Sequence, residues 1–249
     1  MAGADGESAS KKGEVSAGVV RSHGRSTAVK AVFLGLHAVS VALCAWIVFG
    51  GGLSVVGGWF GRAWQVADPE RAALVFCAAA LYFVRHAITL FYLAERRVIW
   101  SEGMGLGGFI LLTEVGFCLL ATGVTRSAPA GLGPLDFAAA GLVLLGSYLN
   151  SASEIARKWW KLDPANKGKC YTEGLFAWSM HINYFGDTVM FTGWCLLTAV
   201  WWTLAVAVLM TVLFLFVHIP GLDSYLENRY GDSFREYARR TKKLVPWIY

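Results

Sequence analysis

The chain has 249 residues, 56% of them hydrophobic and only 16% charged, against roughly 25% charged in soluble domains. Residues 32–61 and 188–222 hold no Lys, Arg, Asp or Glu, and each outruns the ~20 apolar residues that a helix needs to cross a hydrocarbon layer. This composition excludes an ordinary soluble enzyme and predicts an all-α, polytopic membrane helical bundle.

In chain order, residues 1–29 are Gly, Ala, Ser and charge, with acids at Asp5, Glu7 and Glu14. They carry too little apolar surface to order themselves and read as a disordered cytosolic tail, not as a signal or transit peptide. Residues 30–249 form one integral membrane domain. Its apolar runs predict helices near 30–50, 71–95, 104–125, 131–150, 174–200 and 202–220, about six spans. Residues 51–70, with Gly51, Gly52, Gly57 and Gly58, read as a loop or half-inserted segment. Trp201 and Trp202 leave almost no linker between the last two runs, which predicts a tight C-terminal helical hairpin anchored by the Trp pair at the interface. Residues 151–173 and 221–249 read as cytosolic segments. The first carries a helix stop at Asp163-Pro164, and the second forms two short helices punctuated by Gly231.

Lys and Arg fix the orientation. With the amino terminus in the cytosol, 18 of the 22 basic residues fall on cytosolic segments, and only Arg62, Arg71 and Arg126 lie opposite. The positive-inside bias therefore places both termini in the cytosol. The net charge of +5 follows from this topology and from attraction to anionic membrane lipids. No recognition motif suggests nucleic acid. The five cysteines share no metal-ligand spacing and read as packing residues, so no metal site is expected.

Ionisable residues inside apolar runs carry the functional signal, because each costs about 2.5–3.5 kcal/mol at a helix centre unless it faces a cavity or a partner. Arg85, His86, Glu114 and Asp187 are such residues. An ion pair between Arg85 and Glu114 is one reading, and His37 and His218 read as hydrogen-bonded packing residues. In His181-Ile182-Asn183-Tyr184-Phe185-Gly186-Asp187, helical spacing brings His181, Asn183, Tyr184 and Asp187 within a turn and a half. Gly186 leaves a gap beside them. A polar ligand pocket is expected there. The basic run of 157–169 and Tyr225, Tyr230 and Tyr237 flank the same cytosolic opening and suit a phosphate-bearing nucleotide. No Gly-rich strand-to-helix fingerprint or P-loop is present, so any nucleotide site is not of the soluble kind.

The run GLFAWSMHINYFGDTVMFTGW resembles the Gly-Leu-Phe…Asn-Tyr-Phe-Gly-Glu/Asp signature of steroid 5-alpha-reductases and their bacterial and algal relatives. The tail LENRYGDSFREYARRTKKLVPWIY is similar to the carboxyl terminus that those proteins share with sterol reductases of the lamin-B-receptor type. The resemblance implies an endoplasmic-reticulum membrane reductase, if the source is eukaryotic, that uses NADPH on a carbon–carbon double bond of a steroid-, sterol-, polyprenol- or enoyl-type lipid. It implies cofactor contacts at Asn183, Asp187, His181, Arg157, Lys158, Tyr225 and Tyr237. It also implies catalytic or substrate-positioning groups among Tyr184, Asp187, Glu114 and Tyr92, with Tyr82 a further candidate.

The same superfamily holds S-adenosylmethionine-dependent lipid and prenylcysteine methyltransferases, the alternative function. Their Arg-His-Pro is replaced here by Met180-His181-Ile182, and their Glu pair by Leu222-Asp223. Met180 also stands where many sterol reductases have Arg, which leaves a non-catalytic relative as a further alternative.

Overall fold

A computed structural model describes residues 15–16, 19–20 and 22–249. Most of the first 21 residues, and with them most of the expected tail, lie outside the described residues. Val15–Ser16 and Val19–Val20 pair as a small antiparallel ladder. The helices are α1 (Thr27–Phe49), α2 (Gly52–Trp59), α3 (Pro69–Ile88), α4 (Trp100–Ala121), α5 (Pro134–Leu162), α6 (Ile182–Leu197), α7 (Leu204–Leu213), α8 (Ile219–Tyr230) and α9 (Asp232–Arg240). Among the described residues, five continuous helical stretches are long and apolar enough to span a membrane: 27–49, 69–93, 100–121, 134–162 and 201–230. Of the six expected spans, 174–200 is the one missing from this set, because its helix has only 16 residues. This is a polytopic helical membrane bundle.

Several boundaries differ from expectation. Residues 52–59 are a short helix. α5 runs on to Leu162, so the first part of the expected 151–173 segment, residues 151–162, continues the helix of the preceding span. α6 starts at Ile182, because 174–177 form a separate 3-10 turn, and it runs for 16 residues. The two tail helices flank Gly231 as expected, but the first continues the last span. Gly231 sits at φ 56° and ψ −126°, a conformation that a Cβ would strain.

α5 and α6 pack antiparallel and so closely that backbones touch. A Cβ built on Gly186 would lie 2.7 Å from the Asn150 amide nitrogen and the Gly146 carbonyl, and one on Gly146 would strike the Met190 and Gly186 backbone. Small residues at facing positions allow this approach, as is usual where lipid provides no hydrophobic drive. α1 packs on α4 and α3, and α7 on α6. Large apolar side chains such as Leu112 (78% exposed) and Phe216 (74%) point outward, where lipid covers them.

Each end of the bundle is tied by charge. At one end Arg71 pairs with Asp136 and also donates to the carbonyls of Leu197 (3.0 Å), Ala130 (3.0 Å) and Gly131 (3.1 Å). Beside it Arg126 pairs with Asp68 and donates to Thr198 O (2.9 Å). The Thr198 and Thr203 hydroxyls, 3.1 Å apart, close the α6–α7 turn, while Trp201 and Trp202 face outward as interface anchors.

The other end gathers residues 22–26, 94–98, 154–171 and 223–249. Arg97 N donates to Ser22 O (2.9 Å), Val98 N to the Ser26 hydroxyl (3.1 Å), and Lys158 pairs with Glu95 (2.8 Å). Hence residues 22–26 and the carboxyl terminus share one end of the bundle, and most of the basic residues lie there.

Candidate functional site

Four polar side chains of α5 share one stripe with Gly146: Asn150, Glu154, Arg157 and Lys161, at helical spacings of three and four. The stripe faces α6. Asn150 Nδ2 donates to Asn183 O (3.0 Å) and to Asp187 Oδ2 (3.1 Å), and Asn183 Nδ2 donates to Glu154 Oε1 (3.0 Å). Glu154 pairs in turn with Arg157. From α3, Arg85 donates to Asp187 Oδ1 (2.6 Å). A continuous hydrogen-bonded ladder therefore runs Arg85–Asp187–Asn150–Asn183–Glu154–Arg157, from the bundle interior to its basic end.

At that end the ladder meets a cavity. Asn183, Arg157, Lys161 and His181 give it a polar floor and rim, while Tyr171, Phe176, Met180, Tyr230 and Tyr237 supply apolar and aromatic walls. His181 Nε2 bonds Asp223 Oδ1 (2.8 Å), whose other oxygen takes Lys243 (3.2 Å). The tail is fastened over the cavity edge by backbone bonds from Met180 N to Lys242 O (2.8 Å) and His181 N to Lys243 O (3.1 Å). The Tyr237 hydroxyl donates to Phe176 O (2.6 Å), and burial raises its pKa; burial likewise pushes up the Cys170 thiol. Met180 is buried against Phe234 and Tyr237, a packing role.

The expected site residues separate into groups. Asn183, His181, Arg157 and Tyr237 line the cavity. Asp187 lies deeper on the ladder, locked by Arg85 and Asn150. Tyr184 stacks on Phe214 of the last span (4.7 Å between rings) and on His181 (5.8 Å). Lys158 points away from the cavity to Glu95, holding that carboxyl below its usual pKa, and places its ammonium over the Tyr92 ring. Tyr92 is half exposed at the surface and accepts from Trp159 Nε1 (2.8 Å). Tyr225 receives Arg229 (2.8 Å) and does not line the cavity.

The expected Arg85–Glu114 pair is not formed. Arg85 goes to Asp187, and Glu114 Oε1 meets His37 Nε2 at 2.8 Å, buried between α1 and α4. His37 Nδ1 lies 2.9 Å from His86 Nδ1. Glu154 and Asn150 were missed in the sequence, and Lys161 was read only as part of the basic run 157–169. Their signal was present: the helical period of α5 continues unbroken to Asp163-Pro164.

Residues 106–241, more than half of the chain, match the family described as "Protein of unknown function (DUF1295)". The chain belongs to this family. It is also similar to the Delta(14)-sterol reductase of Saccharomyces cerevisiae, 33% identical over 85 residues, which is 32% of this chain and 19% of the yeast protein. The Delta(14)-sterol reductase of Schizosaccharomyces pombe is 29% identical over 83 residues, 32% of this chain and 20% of that protein. The matches span about a fifth of those relatives' length. These findings agree with the steroid 5-alpha-reductase and sterol reductase superfamily expected from the signature.

Proposed function

We propose that this chain is a membrane-embedded reductase of a carbon–carbon double bond in a sterol-type lipid, with NADPH as reductant and the basic end of the bundle facing the cytosol. In a eukaryotic cell its place is the endoplasmic reticulum. The carrying observation is the cavity at that end, where the Asn183 amide sits below Arg157 and Lys161 and among aromatic walls. The donor set fits the cofactor. Arg157 and Lys161 are suited to its phosphates, Tyr171 and Tyr230 to its flat rings, and Asn183, whose Nδ2 is engaged by Glu154 while Oδ1 takes no hydrogen bond from the described residues, to the carboxamide. When bound, NADPH would supply the hydride.

The remaining residues hold and orient. Arg85 and Asn150 fix both oxygens of Asp187, which through Asn150 fixes the first turn of α6 and the aim of Asn183. Asp187 is thus a positioning residue, and His181, tied to Asp223, sets the cavity floor. Glu114, inside the bundle, is the acid best separated from cationic clamps. The surface position of Tyr92 and the outward stacking of Tyr184 favour structural roles for both.

The methyltransferase reading is less well supported. S-adenosylmethionine is a cation, yet the carboxylates beside the cavity, Glu154 and Asp223, are matched by Arg157, His181 and Lys243, and Lys161 meets no carboxylate among the described residues, so the charge left over is positive.

Titration of the purified protein in nanodiscs with NADPH, followed by nucleotide fluorescence, tests the proposal. Saturable binding, weaker for NADH, is expected. No saturable binding, or stabilisation by S-adenosylhomocysteine but not by NADP+, refutes it.

A further inference from the structure

Reducing a carbon–carbon double bond with a nicotinamide hydride consumes one proton for each hydride. In a hydrocarbon interior no bulk water delivers it, so side chains must. The Arg85–Asp187 ladder is unsuited to this task, since it is closed by guanidinium groups at both ends and Arg does not release its proton.

A second buried network has different chemistry. His37 is fully buried and Glu114 is 1% exposed. Their bond of 2.8 Å continues through a 2.9 Å contact between the Nδ1 atoms of His37 and His86. One hydrogen lies between those two nitrogens. With His37 donating from Nε2 to the carboxylate, its Nδ1 accepts, and His86 donates from Nδ1, a self-consistent assignment with both rings neutral. The far end of the chain, Glu114 Oε2, is buried and has no partner among the described residues. The near end, His86, keeps part of its surface accessible.

Tyr82, Arg85 and His86 stand on one turn of α3. The Tyr82 ring stacks on His86 (5.8 Å, 14°), and the Arg85 guanidinium lies 5.0 Å over the same ring on its way to Asp187. One helical turn thus joins this network to the ladder that leads to the cavity.

We propose that His86, His37 and Glu114 form a proton relay that serves the double-bond reduction, an inference that rests on the reductase reading above. A proton taken up at His86 Nε2 displaces its Nδ1 proton to His37 Nδ1. His37 then passes its Nε2 proton to Glu114 Oε1. The result is a neutral carboxylic acid, and a half-turn of its carboxyl group carries the proton from the His37 side to the side where Oε2 has no partner among the described residues. In the reaction, the nicotinamide, when bound, would supply hydride to one alkene carbon and be oxidised. The other carbon uses the former π electron pair to bond the proton released by Glu114, which returns to carboxylate. The alkene is reduced by two electrons, and one proton is drawn from solvent.

Two measurements test the relay. In the first, His37→Gln, Glu114→Gln and His86→Phe proteins are compared with wild type for NADPH affinity and for reduction of a Δ14-unsaturated sterol in deuterated and ordinary water. Unchanged NADPH affinity is expected, with turnover reduced on the order of 10²-fold and with the wild-type solvent isotope effect altered. Wild-type turnover in all three variants overturns the relay.

The second needs neither substrate nor cofactor. In 15N-histidine spectra, the buried His37 ring proton should exchange with deuterium from solvent, and His86→Phe, which retains the stack on Tyr82, should slow that exchange at least tenfold. Equal exchange rates overturn the relay. Should wild type fail to bind NADPH, the reductase reading falls, while the exchange result still decides whether the relay exists.

Discussion

Replacing Gly146 with Ala tests the tightest contact in the bundle. The added methyl falls on the Met190 amide nitrogen and the Gly186 carbonyl, both main-chain atoms, so no rotamer change relieves it and the helices must separate. Forcing a methyl into a filled interface costs about 1–3 kcal/mol. Gly141, on the same helix, meets nothing within 4 Å, and Ala there gains about 0.5–1 kcal/mol of helix preference. The two substitutions are chemically identical and should move stability in opposite directions, a spread of about 1.5–4 kcal/mol. Reversible unfolding in mixed micelles, followed by near-UV circular dichroism, measures it. Separation of α5 from α6 also stretches the Asn150–Asp187 and Asn183–Glu154 bonds of 3.1 and 3.0 Å, so NADPH affinity should fall in Gly146→Ala alone. Equal stability of the two variants would refute the backbone-contact argument.

Three further outcomes are expected. Asp187→Leu leaves Arg85 buried without its carboxylate and should destabilise by about 3–5 kcal/mol, whereas the double variant Arg85→Met/Asp187→Leu should recover most of that loss in the same unfolding assay. Arg157→Ala and Lys161→Ala should each weaken NADPH binding roughly 10–100-fold, the scale of one charge-assisted contact; Lys158→Ala, facing Glu95, should leave the titration unchanged. Burial raises the pKa of the Tyr237 hydroxyl and the Cys170 thiol above their ordinary values of 10.0 and 9.0, so the unfolded chain releases these protons first as pH rises. Stability should therefore hold below about pH 9 and decline above it, and Tyr237→Phe should flatten the decline above pH 10 while losing about 1–3 kcal/mol with the Phe176 carbonyl left unpaired. Unfolding midpoints from pH 7 to 11 check both effects.

How much was legible depended on whether a property is a sum over neighbours or a choice of partner. Five of the six expected spans follow from runs of apolar residues, whereas 174–200 holds a helix of only 16 residues, and Asp163-Pro164 and Gly231 mark helix ends through their own backbone chemistry. The gathering of basic residues at one end was likewise readable as a count; Asn183 and His181 stood out by type and spacing and Tyr237 by the aromatic tail, while Arg157 was singled out only by the family resemblance, and all four line the cavity. Partners were not legible. Arg85 and Glu114 are each one unsatisfied charge within an apolar run, and in sequence they look made for one another. The bundle instead places Asp187 before Arg85 and His37 before Glu114, although α3 packs on α4 as well as on α6. Lys158 and Arg157, adjacent in the chain, diverge to opposite sides of α5 because α5 is still helical there.

Sequence alone determined that this chain lives in lipid, which residues resist lipid, and which end carries the charge, since hydration free energies add residue by residue along a helix. Only the tertiary structure decided which of those residues meet. A buried carboxylate has one stable neighbour among several candidates, and that selection is made by which faces of packed helices meet, Arg85 of α3 on Asp187 of α6 and His37 of α1 on Glu114 of α4, which no local pattern encodes.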